Sequence, residues 1–255
     1  MGGTIALFWV QARGQVSRGY TLFTGACLLV LGVLAVWLRT AFPPLVSPDV
    51  DPTAALWFAA ERTLSIAFVV ALAAYLLGLR RTWRWSGVLV RVVPLLAMAS
   101  LWSAALVSHS GQLLGLGSPL AVLAGGMALG SALAGLSLGH WYLVSPTLSV
   151  RPLIQLTFLT LGALIVQTVL LPLELLAPGT PQNQTQQLLT DDLVFFGVRV
   201  VFGLLVPLIA TLMTWRTARI RSLDSATGLL YIVSALILAG EIAARTLFFL
   251  TGVAT

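Results

Sequence analysis

The chain contains no lysine: its 14 basic residues are all arginines, against 8 acidic ones, for a formal net charge of +6. An arginine-only balance suits a GC-rich coding sequence as well as it suits any function. There is one cysteine, Cys27, inside an apolar run. That excludes a disulfide framework and any multi-cysteine zinc or iron–sulphur site. Only 9% of the 255 residues are charged and 58% are hydrophobic, where a soluble domain carries about 25% charged residues. No phosphate-binding glycine loop, metal-spacing motif or nucleophile elbow occurs. What remains is an all-α, polytopic transmembrane helix bundle. The positive balance then reads as loop arginines facing the anionic headgroups of membrane lipids. Nucleic acid is excluded as a partner, because no soluble basic domain exists to bind it.

Seven apolar segments are long enough to cross roughly 30 Å of hydrocarbon at about 1.5 Å per residue. They run over 20–42, 54–79, 86–108, 119–144, 153–177, 193–215 and 226–251. Their connections are short, so residues 20–255 are expected to form a single seven-helix transmembrane domain. Residues 1–19 precede it as an interfacial N-terminal segment, since the apolar run at 4–10 is too short to span. A re-entrant segment is the alternative. Arg13 and Arg18 precede the first span, and Arg80, Arg81, Arg84, Arg151, Arg216, Arg219 and Arg221 fall in alternate loops. Asp49, Asp51, Asp191 and Asp192 occupy the others. This asymmetry predicts a cytoplasmic N-terminus, an external C-terminus and residence in the cell (inner) membrane. Trp37, Trp57, Trp83, Trp85, Trp141, Tyr142 and Trp215 lie near predicted ends, as interfacial aromatics do.

Two patterns concern packing. The fourth span is glycine-rich, with Ser131, Gly135 and Gly139 at four-residue spacing. That stripe fits close helix approach, or else the approach of a flat cofactor. Phe58-x-x-x-Arg62 before Arg80 is echoed by Phe195-x-x-x-Arg199 before Arg216. The echo fits parallel repeats, and it equally fits chance. The polar stretch at 177–187, which includes the sequon-like Asn183-Gln184-Thr185, is the place expected to meet a partner protein.

The chemistry lies in charges inside the apolar segments. Glu61 and Arg62, Arg199, and Glu241 with Arg245 all fall roughly 10–15 Å below the predicted external end of their helices. Each costs about 2.5–3.5 kcal/mol at a helix centre, so the five are expected to point inward and pair. They form either interhelical salt bridges or a polar pocket facing the outer leaflet. His109, in Ser-His-Ser-Gly-Gln, is a further candidate for that pocket. His140 lies near the other end of the fourth span, roughly 30 Å from the level of His109. Two-histidine ligation of a haem b is therefore excluded. His140 is expected to be interfacial and hydrogen-bonded, or part of a proton route. No metal site is expected. Toward the cytoplasmic side, only His140, Gln155 and Gln167 stand out as intramembrane polar groups, which disfavours a transport path.

The block Ala239-Gly240-Glu241-Ile242-Ala243-Ala244-Arg245-Thr246-Leu247-Phe248-Phe249 resembles the last helix of the membrane-anchor subunits of dimethyl-sulfoxide and polysulfide reductases. Glu61-Arg62-Thr63-Leu64-Ser65-Ile66-Ala67-Phe68 is similar to a second glutamate-bearing helix in those proteins. The resemblance covers about a dozen residues well, and such anchors usually carry eight or more spans. It implies binding of a quinone or quinol near the outer face and electron transfer to a docked external iron–sulphur protein. Glu241 would exchange the proton of the quinone hydroxyl, Arg245 would be its electrostatic partner, and Glu61, Arg62, His109 and Arg199 would line the pocket. A structural scaffold subunit and a small-anion transporter are the competing readings.

Overall fold

A computed structural model describes residues 1–14, 16–42, 52–107, 117–145, 148–176, 186, 188 and 190–251. Among these residues there is no strand. The helices are α1 (Gly2–Gln11), α2 (Arg18–Ala41), α3 (Pro52–Arg81), α4 (Ser86–Val107), α5 (Gly117–Val144), α6 (Arg151–Leu175), α7 (Leu193–Arg219) and α8 (Leu223–Thr251). Seven of them, α2 to α8, are long and apolar enough to span a membrane. The chain is a multi-pass membrane protein. The seven expected spans match these helices to within a few residues, because runs of twenty apolar residues leave little choice of element. His109 and the stretch 177–185 lie outside the described residues.

Two compact units divide the chain, Met1–Ser108 and His109–Thr255. In the first, α1 neighbours α2 and α4, α2 neighbours α3, and α3 runs along α4, closing a ring of four. Ten residues make α1 about 15 Å long, too short to cross a bilayer. It is nonetheless a core element, with Ala6, Leu7 and Val10 fully buried. Phe8 packs on Tyr75 with ring centroids 4.9 Å apart, and Gln11 Nε2 donates to the Tyr75 hydroxyl. Ser17 caps α2 by accepting from the Tyr20 amide at 3.2 Å. Between α3 and α4, the buried hydroxyls of Ser65 and Ser100 meet at 2.7 Å.

The second unit repeats the ring with full-length helices. Here α5 neighbours α6 and α8, α6 neighbours α7, and α7 packs along α8. Its apolar core includes Ala128, Leu164, Leu171, Leu204, Val233 and Ile237. The third helices of the two rings end alike. Thr82 (φ 57°) and Arg221 (φ 58°) are left-handed, and the amides that follow them bond back to Gly78 and Thr217 carbonyls at 2.9 and 3.0 Å. These are Schellman endings made without glycine.

Over Val198–Leu205, α7 is wound as a π-helix. The cause is visible in the sequence. Pro207 has no N–H to offer the Gly203 carbonyl four residues back, so the α-helical bond at that turn cannot form. Tyr142, expected as an interfacial anchor, is instead buried, and its hydroxyl donates to the Ser149 carbonyl at 2.5 Å, holding the α5–α6 connection. Trp37, Trp83 and Trp85 are exposed, as belt residues are.

Candidate functional site

In the second unit the Glu241 carboxylate stands where all four helices meet. From α6, Gln167 Nε2 donates to Oε1 at 2.7 Å, and from α7, Arg199 Nη1 donates to the same oxygen at 3.2 Å. The other oxygen, Oε2, has the Arg245 guanidinium at 3.8 Å, one turn along α8. That is an ion-pair distance beyond hydrogen-bond range. The carboxylate also rests on α5: a methyl group on Gly125 would sit 2.2 Å from Oε2. Only glycine makes room there.

Burial grades these groups. The Arg199 side chain is 2% exposed, that of Glu241 13%, and that of Arg245 42%. The fully enclosed arginine is therefore the one that neutralises Glu241, while Arg245 leans outward. The π-helix places Arg199 on the inward face and brings Gly203 against Gly240 of α8. A side-chain carbon on Gly240 would lie 2.2 Å from the Gly203 Cα. Backbone contact between α7 and α8 thus begins one residue from the catalytic candidate. Among the described residues, the buried Arg199 Nε and Gln167 Oε1 have no hydrogen-bond partner. One donor and one acceptor at this centre are therefore available to a further group.

Gln167 departs from the expectation that sets it toward the cytoplasmic side. It belongs to the Glu241 level and not to the opposite side, as the eight residues separating it from Leu175 would have shown. Glu174, Gln167 and Thr160 recur every seven residues on the buried face of α6, and Glu241, Ser234 and Thr227 do so on α8. Ser131 and Thr160 hydroxyls meet at 2.9 Å further along. Hydroxyls thus extend the polar core beyond the charged and amide side chains. His140, exposed, bonds the Tyr231 hydroxyl at 3.2 Å through Nδ1, with the rings edge to face. Of the fourth-span glycines, Gly139 lies against Thr227, where a methyl group would meet the hydroxyl at 2.6 Å. Helix packing therefore uses that position.

Glu61 belongs to the first unit. It is buried, and Arg39 of α2 holds it by a forked pair, Nε to Oε1 at 3.0 Å and Nη2 to Oε2 at 2.5 Å. Arg39 also stacks on the Phe58 ring at 5.2 Å. In the sequence Arg39 looks like one more residue at a helix end, which concealed its role. Arg62 departs from the expectation that all five charges turn inward. It is exposed, and no partner for it occurs among the described residues. Glu61 takes its cation from α2 and not from the adjacent arginine. Among the described residues, no three His, Cys, Asp or Glu side chains converge as a metal site would require.

The chain matches no protein-family model, no curated protein and no solved structure. Function must be argued from these two clusters.

Proposed function

We propose that this multi-pass membrane protein is the anchor subunit of an electron-transfer complex and binds a quinone or quinol at Glu241. The observation that carries the reading is the asymmetry of that carboxylate. One oxygen is fixed by two donors, and the other, beside the side-chain-free Gly125, has as its polar partner a long contact to a partly exposed arginine. Such a group is oriented by Arg199 and Gln167 and still able to accept a hydrogen bond from a ligand hydroxyl. A charged cluster within an apolar helix is costly, and apolar residues would pack as well, which favours use over mere packing.

Oxidation of a quinol releases two electrons and two protons. In this reading Glu241 accepts one hydroxyl proton, the second passes to water at the external face, and Arg199 and Gln167 hold the carboxylate in place meanwhile. Arg245 balances charge at the open side. The electrons leave to a docked iron–sulphur protein on the external face, since the chain offers no multi-cysteine cluster site of its own. The similarity of residues 239–249 to reductase anchors supports the same assignment.

The test is quinol-linked electron flow in the assembled complex carrying Glu241→Gln, which keeps the side-chain shape and removes the base. Flow should fall about 100-fold, the scale of a lost acid–base group, with quinone still copurifying and assembly intact. Unchanged flow would exclude Glu241 as the proton acceptor. A scaffold role is the second reading, favoured by the Gly203–Gly240 backbone contact beside the cluster. It predicts that Glu241→Gln lowers assembly and activity in equal proportion.

A further inference from the structure

The first unit carries its own anomaly, independent of the Glu241 reading. The apolar span of α3 opens at Ala55, and Arg62 lies seven residues further in, about 10 Å along the axis. A charge at that depth is normally paired or turned to the bundle interior. Arg62 is neither, being exposed and, among the described residues, unpartnered. Among the described residues nothing balances its charge, which leaves it open to an anion from the membrane.

The surroundings say what kind of counter-charge fits. Arg62 borders a shallow, open pocket shared with Met1, Arg39, Glu61, Phe58, Ala35 and Val36. Glu61 is already committed to Arg39 through both oxygens, so the side chains lining the pocket keep one net positive charge, beside Met1. Arg39 is itself 38% exposed at the side chain, leaving part of its guanidinium free to share an anion. The apolar wall formed by Ala35, Val36 and Phe58 suits an alkyl chain. A phosphate group attached to a hydrocarbon tail satisfies the charge and the wall together, which a free anion does not.

We infer that the Arg62–Arg39 pocket of the first unit is a binding site for an anionic phospholipid, with the headgroup phosphate on the two guanidinium groups and an acyl chain along Ala35, Val36 and Phe58. A phosphodiester with no cationic headgroup beside it is the recognised chemistry, and the membrane supplies it.

The protein purified in mild detergent is delipidated and followed by native mass spectrometry while phosphatidylglycerol or phosphatidylcholine of identical acyl chains is added. One phosphatidylglycerol should bind at least ten-fold more tightly than phosphatidylcholine. Arg62→Gln should abolish that preference, and Arg62→Lys should keep most of it. Because Arg62 is exposed and makes no ion pair among the described residues, both variants should melt with the wild type, so a lost preference reports the site and not the fold. Millimolar inorganic phosphate should fail to compete. Equal binding of the two lipids, a preference that survives Arg62→Gln, or displacement by inorganic phosphate would each overturn the assignment. So would a carboxylate-bearing protein that copurifies and is released by Arg62→Gln while lipid binding stays unselective.

Discussion

Arg199 and Glu241 depend on each other in a way that their separation of 42 residues hides. Each alone was legible as a costly charge in an apolar helix. The pairing was not, because sequence spacing identifies neighbours only within one helix, as it did for Glu241 and Arg245. The visible pair turned out to be the looser one, at 3.8 Å and partly exposed. The energetic weight falls on Arg199, which is almost fully buried. Replacing it with methionine leaves a buried carboxylate held by Gln167 and a distant Arg245, and should lower stability by about 3 kcal/mol. Removing the carboxylate as well, in Arg199→Met/Glu241→Leu, takes away the unpaired charge and should restore most of that loss. Thermal unfolding in one detergent checks both. A single variant as stable as wild type would show that the pair does not hold the bundle.

At the scale of elements, hydrophobicity located the helices, but it carries no information on how tightly each is wound. The π-segment Val198–Leu205 is apolar apart from Arg199, as a spanning α-helix would be. Its signal was the pair Gly203 and Pro207, a carbonyl deprived of its donor four residues later. The outcome is functional as well as local: Arg199 turns inward, and Gly203 meets Gly240 backbone to backbone. Gly240 therefore has no spare volume. Gly240→Ala gains helix propensity worth about 1 kcal/mol, yet its methyl group would have to displace the α7 backbone and not a flexible side chain. Overpacking of this kind costs typically 1–3 kcal/mol, so the net expectation is lower thermal stability. Separation of α7 from α8 should also reduce activity at Glu241, one residue away. A rise in melting temperature with unchanged activity would contradict the close crossing.

For the whole molecule, two four-helix units share one ring order, and the repeated Phe-x-x-x-Arg sequences fall on the third helix of each. The chemistry has diverged within that shared position: Arg199 is buried on a carboxylate, whereas Arg62 faces outward. Basic residues are also gathered at one end of each ring. In the first unit Arg18 at the start of α2 donates to the Leu79 carbonyl near the end of α3, beside Arg80, Arg81 and Arg84. In the second, Arg221 after α7 donates to the Leu148 carbonyl ahead of α6 at 3.0 Å, beside Arg151, Arg216 and Arg219. If the positive-inside bias governs insertion, both basic ends face the cytoplasm. Single cysteines in a Cys27→Ala background test this directly. Trp85→Cys lies in the turn between α3 and α4, and Asp191→Cys lies ahead of α7, both at exposed positions. In intact cells a membrane-impermeant maleimide should label Asp191→Cys and should reach Trp85→Cys only after permeabilisation. The reverse pattern would invert the chain and place Glu241 in the cytoplasmic leaflet, which would rule out an external iron–sulphur partner while leaving the geometry of the Glu241 cluster untouched.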